Sequence, residues 1–289
     1  MRQAQGRARP PALLPERLFA TRVLTAAALL ATFVAALLLL DSAYFAVLVG
    51  VALALAAREW ARLTGLGAGI AMSYAAGCVL LFAAAGWALW PVDPSSAPVT
   101  AVFAMAAVFW VVLASFWLAR GVTARERWLL RPTGLMVLLP PGLAMIAVAP
   151  VALLMLFGLV WIADTAAYLT GRAIGRHRLA PAISPGKTWE GAAGALAGVL
   201  AYAIICAVFL PQLAERVRGA TWLPYLAGAT LLCAVSIVGD LFESALKRQA
   251  GVKDSGALLP GHGGMLDRID SATAVLPIGV LLLHGIGLT

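Results

Sequence analysis

Charged residues gather near the C-terminus of the sequence, in the stretch KDSGALLPGHGGMLDRID at positions 253–270. Asp267 and Asp270 are three residues apart, so a helix would place both carboxylates on one face. Carboxylates of this kind hold magnesium together with substrate phosphates. Lys253 and Arg268 add positive charge that suits phosphate oxygens. The stretch therefore predicts a site for phosphate chemistry that uses a hard metal ion.

Glycines surround the histidine of this stretch, His262, at positions 261, 263 and 264. A glycine-rich backbone can approach a ligand closely and offer it amide donors. We therefore take His262, Gly263 and Gly264 as candidate substrate-binding residues. A second interpretation of His262 stays open, because a histidine that makes only a structural hydrogen bond would give the same pattern.

A second group of polar residues recurs with the period of a helix in GDLFESALKRQ, residues 239–249. Its members lie at i, i+3, i+4, i+7 and i+8 and so share one face: Asp240, Glu243, Ser244, Lys247 and Arg248. A solvated helix face is the ordinary alternative. Because the segment emerges from a long apolar run, we favour a functional stripe.

The third group lies in residues 161–191, where Asp164 interrupts an apolar run. An ionisable residue within a membrane segment is costly, so by default it indicates a functional site. Tyr168 is four residues further along and faces the same side of a helix. A structural salt bridge is the alternative explanation for Asp164, and it stays open.

The run SPGKT at residues 184–188 is similar to the end of a phosphate-binding P-loop. A P-loop needs a glycine where this chain has Pro181, and we expect no strand before the run, so a P-loop is excluded. We expect a turn before a helix. Lys187 and Thr188 would then be donors near a helix N-terminus, which is a favourable place for an anion.

Membrane helices are the elements that must position these groups. Hydrophobic residues make up 62% of the chain and charged residues 12%, with a mean hydropathy of +0.94. A soluble domain has about 25% charged residues, and a membrane-spanning helix needs about 20 apolar residues. We expect an all-α polytopic membrane protein with about nine helices, near 23–40, 43–57, 68–90, 99–119, 133–149, 151–170, 190–210, 222–246 and 271–288.

Three regions follow from this layout. They are a basic N-terminal tail (1–20), a scaffold of N-terminal transmembrane helices (21–132) and a catalytic transmembrane region (133–289). The second span is short, and a Pro-Pro-Gly run at 140–142 interrupts the fifth. Either could be a re-entrant or broken helix.

The basic residues predict an orientation. With the N-terminus in the cytoplasm, all of the 21 Lys and Arg residues except Arg216 and Arg218 fall on the cytoplasmic side, as the positive-inside rule expects. We therefore expect an integral protein of the cytoplasmic (inner) membrane, with its N-terminus and active site facing the cytoplasm. The net charge of +8 needs no nucleic-acid partner, because basic loops beside a membrane attract anionic lipid headgroups.

The run SALKRQAGVKDSGALLPGHGGMLDRID, residues 244–270, resembles the signature of the phosphatidate cytidylyltransferases, or CDP-diacylglycerol synthases. The stretches DTAAYLTGR and SPGKTWEG are similar to that family as well, so the resemblance covers residues 161–275 strongly. It implies that CTP reacts with phosphatidic acid to give CDP-diacylglycerol and pyrophosphate, a step of phospholipid biosynthesis. It also implies Mg²⁺, with a second metal ion as an option, and a homodimer among membrane lipids.

The resemblance implies roles for individual residues. Asp240 and Asp267 would bind metal with support from Asp270 and Asp164, and both would be catalytic together with Lys253. The remaining candidates would bind substrate: Lys187, Ser244, Lys247, Arg248, His262, Gly263, Gly264 and Arg268.

Two other functions remain as alternatives. A CTP-dependent kinase of membrane lipids would need similar metal and phosphate ligands, although the whole His-Gly-Gly and Asp-Arg-x-Asp pattern is not expected there. A cation or proton transporter would also place Asp164 and Asp240 within the bilayer. It would not need a dense basic and glycine-rich loop at one face, and it would often show internal repeats, which we do not find.

Overall fold

The computed structural model describes residues 27–28, 30–258 and 263–287. The chain divides into two units between Leu40 and Asp41. The described part of the first unit contains a short apolar helix, α1 (Leu30–Leu39). The N-terminal tail, 1–20, and His262 lie outside the described residues, so the expectations for them stay predictions.

The second unit consists of long helices joined by short connections, with one small β-hairpin among the described residues. Its elements follow in the order α2 (Ser42–Leu63), α3 (Ala68–Ala88), α4 (Ala97–Val108), α5 (Ser115–Arg120), α6 (Arg127–Ala147), α7 (Pro150–Ile174), β1 (Arg178–Ala180), β2 (Ser184–Thr188), α8 (Trp189–Phe209), α9 (Pro211–Arg216), α10 (Trp222–Gln249) and α11 (Leu266–Gly285). A π-helical segment, Phe109–Ala114, joins α4 to α5. Short 3-10 helices, Ala124–Glu126 and Gly219–Thr221, precede α6 and α10.

Helices make up most of the described chain, which confirms the expected all-α polytopic membrane class. Among the residues described, seven helices are long and apolar enough to cross a membrane: Ser42–Leu63, Ala68–Ala88, Ala97–Arg120, Ala124–Ala147, Pro150–Ile174, Trp189–Phe209 and Gly219–Gln249. The expected number of about nine is therefore not confirmed. The first expected span is described only as the short α1. The last belongs to α11, whose first turn carries Asp267 and Arg268.

Two of the expected spans differ from what the sequence suggested. α2 continues to Leu63, so it is not short. α6 is one helix through Pro132, Pro140 and Pro141, so the Pro-Pro-Gly run does not break it. Membrane helices tolerate proline where neighbouring groups satisfy the freed backbone, and Pro140 and Pro141 are buried. The expected boundary between scaffold and catalytic regions, 132/133, lies within this helix.

Hydrogen bonds between distant segments hold the helix ends together on one side of the second unit. Gln249 Nε2, at the end of α10, donates to the carbonyl oxygen of Leu63 at the end of α2 (2.7 Å). Arg127, at the start of α6, donates to Gln249 Oε1 (3.2 Å). At the opposite end, Arg216 donates to the carbonyl oxygen of Ile286, just after α11 (3.3 Å). Positions that the charge distribution assigns to opposite sides of the membrane thus lie at opposite ends of α10.

Phe242, on α10, lies inside a ring of aromatic side chains. Trp60 of α2 stacks on it with ring centroids 6.4 Å apart. Phe109, Trp110 and Trp117 meet it edge-on at 5.9, 5.7 and 5.8 Å. Such pairs contribute about 0.5–1.5 kcal/mol each beyond their buried area. The ring fixes the rotation of α10 about its own axis, and with it the direction of the polar stripe.

Gly239 marks a close approach of α10 to α11. A Cβ atom here would lie 2.7 Å from the carbonyl oxygen of Asp270 and 3.3 Å from Ala274 Cβ. We expect Gly239→Ala to lower the free energy of unfolding by about 1–3 kcal/mol, because overpacking displaces the backbone. Denaturant unfolding in detergent micelles, followed by circular dichroism, measures this loss.

Gly77→Ala in α3 is the matched control. Within the described part of the chain, no atom outside its own helix backbone lies within 4 Å of a Cβ added at Gly77. Alanine is also the better helix former, so this variant should be as stable as the wild type or more stable. Equal stability of the two variants would contradict the close packing inferred at Gly239.

Candidate active site

Lys247 lies at the centre of an ion cluster between α10 and α11. Its ammonium group is 2.5 Å from Glu243 Oε2 and donates to Asp267 Oδ1 at 2.6 Å. The Lys247 side chain is 11% exposed, and the two carboxylates are 5% and 9% exposed. A buried charge is costly unless it is paired, so these groups stabilise one another. The structure thus brings together two expected site residues, Lys247 and Asp267.

Asp240 lies two turns earlier on the same face of α10 and forms an ion pair with Lys187 of β2. Ser244 Oγ donates to Asp240 Oδ1 at 3.3 Å. Asp240 and Lys187 are each 26% exposed, so this pair is more accessible to a ligand than the Lys247 cluster. The stripe is not an ordinary solvated face, because Glu243 and Ser244 are buried and its charges meet partners from other elements.

The segment that supplies Lys187 is a β-hairpin, which corrects the expectation of a turn without strands. β1 and β2 are antiparallel, with Arg178 opposite Thr188 and Ala180 opposite Ser184. The sequence gives no strand signal here, because these short strands lack alternating apolar residues. The hairpin carries Lys187 to the side of α10.

The hairpin is fastened to the start of α8. Thr188 Oγ1 accepts a hydrogen bond from the Gly191 N–H at 3.0 Å and so caps the helix. His177 Nδ1 lies 2.6 Å from Glu190 Oε1, and the Trp189 N–H donates to the carbonyl oxygen of His177 at 2.9 Å. These contacts fix the position from which Lys187 extends.

Asp267 organises the loop before α11. Its Oδ2 accepts hydrogen bonds from the Ser255 N–H at 2.9 Å and from the Gly264 N–H at 2.8 Å, and it lies 2.9 Å from the Ser255 hydroxyl oxygen. Gly263 has φ +80, and a Cβ atom there would collide with the Asp267 carboxylate. The glycines expected to approach a ligand therefore approach this carboxylate in the structure.

Glu59 is a buried acidic residue that the sequence analysis missed. It lies on α2, in the region expected to be only a scaffold, and is 9% exposed. Its carboxylate accepts hydrogen bonds from the Met265 and Leu266 N–H groups at 3.0 and 2.9 Å and from the Ser255 hydroxyl at 2.8 Å. Glu59 lies just after the expected span 43–57, between Arg58 and Arg62, so in the sequence it looks like part of an ordinary charged helix end and gives no distinguishing signal.

Asp164 and Asp270 add further acidic groups to this region. Asp164, exposed on α7, interacts electrostatically with Asp240 and Lys187. Asp270 interacts electrostatically with Asp240, Glu243 and Asp164, and its Oδ1 accepts a hydrogen bond from the Ser271 N–H at 2.7 Å. Carboxylates from α7, α10 and α11 thus surround one region, next to Lys187.

The remaining expected site residues are more peripheral. Arg248 donates from Nε to the carbonyl oxygen of Ile183 (3.1 Å) and from Nη1 to that of Val252 (3.2 Å), so it ties the hairpin to the segment after α10. Lys253 is exposed in that loop, and Arg268 is exposed in the first turn of α11.

The donor set suits a hard cation such as Mg²⁺, because all of the acidic groups offer carboxylate oxygens. Within residues 27–28, 30–258 and 263–287, no three His, Cys, Asp or Glu side chains are arranged to hold a metal ion by themselves. Proteins usually bind Mg²⁺ through one or two carboxylates plus substrate phosphates rather than in an all-protein cage. The residues present fit that mode, whereas the four expected carboxylates do not form one closed metal site.

Comparison with known proteins gives concordant matches. The model of the cytidylyltransferase family matches residues 20–285. A phosphatidate cytidylyltransferase of Pseudomonas aeruginosa is 39% identical over 275 residues, which is 92% of this chain and 97% of that relative. Two more proteins of the same name match shorter regions: one of Haemophilus influenzae is 51% identical over 125 residues, 43% of each chain, and one of Brucella suis is 50% identical over 119 residues, 41% of this chain and 42% of the relative. This chain therefore belongs to the cytidylyltransferase family.

Proposed function

We propose that this chain transfers a cytidylyl group from CTP to phosphatidic acid and so forms CDP-diacylglycerol and pyrophosphate. The observation that carries the proposal is a pair of neighbouring ion pairs, Lys187 with Asp240 and Lys247 with Asp267. They lie near the C-terminus of α10 and the N-terminus of α11. Phosphoryl chemistry depends on such positioning and charge neutralisation. A relative named for this reaction matches 92% of the chain.

The attacking group would be the phosphate monoester of phosphatidic acid. The second pKa of such a monoester is about 6, so it is ionised near neutral pH and needs no general base. One of its oxygens forms a bond to the α-phosphorus of CTP. The bond from that phosphorus to the oxygen shared with the β-phosphate breaks, and its electron pair leaves with pyrophosphate.

The two lysines would have different roles in this reaction. Lys187 is 26% exposed and paired with an equally exposed carboxylate, so a substrate phosphate can replace Asp240 as its partner. Lys247 is 11% exposed and lies between two carboxylates, so it holds Asp267 in place. Lys187 is therefore our first choice for contact with CTP or phosphatidate.

Magnesium is part of the proposal. When bound, it would neutralise negative charge on the phosphate oxygens of CTP. Asp240 is the best placed residue to ligate it, because Asp240 is partly exposed and interacts with both Asp164 and Asp270. If a substrate phosphate pairs with Lys187 in place of Asp240, the Asp240 carboxylate becomes available to the metal ion.

We also propose that the chain lies in the inner membrane with this site toward the cytoplasm. Arg127 and Arg248 lie at the same end as the site and Arg216 at the other, which agrees with the positive-inside rule. The acyl chains of phosphatidic acid keep it in the bilayer, so the site must meet it at headgroup level. A homodimer completes the proposal and is supported by the family resemblance alone.

The test uses the purified chain in lipid nanodiscs with CTP labelled at the α-phosphate. We expect labelled CDP-diacylglycerol and an equal amount of pyrophosphate when phosphatidic acid and Mg²⁺ are present, and neither product without phosphatidic acid. Excess EDTA should stop the reaction, and added Mg²⁺ should restore it. Full activity in EDTA would contradict the proposed use of magnesium.

The same assay separates the alternatives. A lipid kinase would act on diacylglycerol and release CDP without pyrophosphate. A transporter would leave CTP unchanged and would move ions in sealed vesicles. Either of these results would overturn the proposed cytidylyl transfer.

A further inference from the structure

Glu59 is the buried acidic residue that reaches the catalytic end of the molecule from α2. It is 9% exposed, and burial of a carboxylate is costly unless hydrogen bonds compensate. The hydrogen bonds that compensate come from the segment between α10 and α11 and from the first residue of α11.

The contacts of Glu59 fix both described sides of that segment. On the α11 side, Glu59 accepts hydrogen bonds from the Met265 N–H at 3.0 Å and the Leu266 N–H at 2.9 Å. A carboxylate is favourable at a helix N-terminus, where N–H groups lack partners within the helix. On the α10 side, it accepts from the Ser255 hydroxyl at 2.8 Å.

Ser255 connects Glu59 to the ion cluster. Its Oγ lies 2.8 Å from Glu59 Oε2 and 2.9 Å from Asp267 Oδ2, and its N–H donates to Asp267 Oδ2 at 2.9 Å. Asp267 in turn accepts from Lys247 at 2.6 Å. A continuous path of hydrogen bonds therefore leads from α2 to the lysine of α10.

The backbone of the segment is shaped around Glu59. A Cβ atom at Gly256 would lie 2.5 Å from Glu59 Oε1 and 3.0 Å from its Cδ, and a Cβ atom at Gly264 would collide with the same carboxylate. Real Cβ atoms essentially never come so close to another heavy atom. The glycines thus allow the loop to pack directly against the Glu59 carboxylate. A residue that only capped α11 would not need such close packing on the α10 side as well.

We propose that Glu59 is a positioning residue for the proposed cytidylyl transfer: it holds Ser255 and the start of α11 so that Asp267 faces Lys247. Glu59 touches neither Lys187 nor Asp240 among the contacts of the described residues, so it acts through Asp267. This inference rests on the proposed function, and its test separates the two.

The test compares Glu59→Gln with Glu126→Gln in nanodiscs. Glu126 also connects separate segments through its carboxylate, and it lies at the same end of the unit. It accepts hydrogen bonds from Trp117 Nε1 and the Thr123 N–H, both at 3.0 Å, and forms an ion pair with Arg120 at 2.5 Å. No hydrogen bond or ion pair of Glu126 reaches residues 255–258 or 263–267 within the described chain. It therefore controls for the loss of a structural carboxylate.

We expect Glu59→Gln to lower kcat by about 10- to 100-fold, as is typical when a residue that orients a site is replaced. Glutamine has a single acceptor oxygen and an amide group that opposes one of the two N–H donors. Since the interaction lost is one that aligns the reacting groups, kcat and kcat/KM should fall by the same factor. Glu126→Gln should keep the wild-type kcat.

Hydrogen exchange gives a measurement that does not depend on activity. Amides of residues 255–258 and 263–266 should exchange faster in Glu59→Gln than in the wild type, while amides of residues 120–127 should not change. The double variant Glu59→Gln/Ser255→Ala should lose less kcat than the product of the fold-losses of the two single variants. Both residues act on the same path of hydrogen bonds, so their effects are not independent.

The outcomes distinguish this inference from the proposed function. If the wild type forms no CDP-diacylglycerol, the proposed function fails, and the exchange data alone test the contacts of Glu59. If the wild type is active and Glu59→Gln matches it in kcat and in exchange, the positioning role is wrong. Equal losses of kcat in Glu59→Gln and Glu126→Gln would show that Glu59 contributes only to the stability of the fold and does not position the site. If Glu59→Gln cannot be purified, a fully active Ser255→Ala variant would overturn the path through Ser255.

Discussion

Replacing Asp240 with asparagine is expected to lower kcat for CDP-diacylglycerol formation by about 100-fold, on the scale of losing one key charge-stabilising group. Asp240 pairs with Lys187 and accepts the Ser244 hydroxyl at 3.3 Å. The asparagine carbonyl can still accept from Ser244, but the negative charge is gone. Lys187 then loses its partner on α10, and the proposed Mg²⁺ would have one carboxylate ligand fewer.

Asp93→Asn is the matched control for Asp240→Asn. Asp93 also accepts hydrogen bonds from a nearby serine, Ser95, through its N–H (2.8 Å) and its hydroxyl (2.5 Å). It lies between α3 and α4, at the end of the unit away from the site. Wild-type turnover by Asp93→Asn, beside a large loss in Asp240→Asn, assigns the effect to the site. If Asp240→Asn turns over within a few fold of the wild type, Asp240 is not a catalytic residue.

Asp267→Asn is expected to lower kcat by at least about 100-fold and to reduce stability as well. Asp267 Oδ1 accepts from Lys247, while Oδ2 accepts from the Ser255 and Gly264 N–H groups and lies 2.9 Å from the Ser255 hydroxyl oxygen. The amide of asparagine can satisfy only one of these two sides. Its NH₂ group faces either the ammonium of Lys247 or the loop donors, and buried donors without acceptors cost about 1–3 kcal/mol.

The combination of activity and unfolding measurements separates the two aspartates. Asp240→Asn should reduce turnover with little change in the free energy of unfolding, because Asp240 is 26% exposed. Asp267→Asn should reduce both, because Asp267 is 9% exposed and ties the loop to α10. Normal turnover by a destabilised Asp267→Asn variant would make Asp267 a structural residue and would leave Asp240 as the main carboxylate of the site.

The polar stripe of α10 was predictable from the sequence because helical spacing is a local property. Residues three and four apart share a face whatever surrounds the helix, so Asp240, Glu243 and Lys247 were expected together, and the structure confirms their common face. The membrane class was predictable for a similar reason, since it depends on the number of apolar residues and not on their partners.

The parts that sequence reasoning missed depend on long-range contacts. Glu59 and Ser255 are 196 residues apart in the chain, and no periodic pattern links a carboxylate on α2 to a loop near the C-terminus. The hairpin was missed because strand pairing between β1 and β2 lacks an apolar face. The Pro-Pro-Gly run suggested a break in α6. The burial of these prolines against neighbouring helices cannot be predicted from the local sequence.

The attachment of α2 to the last helix has a consequence for biosynthesis. Glu59 is synthesised 206 residues before Met265, one of its hydrogen-bond donors. At ribosomal rates of about 5–20 residues per second, the carboxylate waits about 10–40 s for that partner. During this interval the end of α2 must stay hydrated at the membrane surface, since an unpaired carboxylate is costly in lipid. The end of the unit that carries the candidate site is therefore complete only after α11 has left the ribosome.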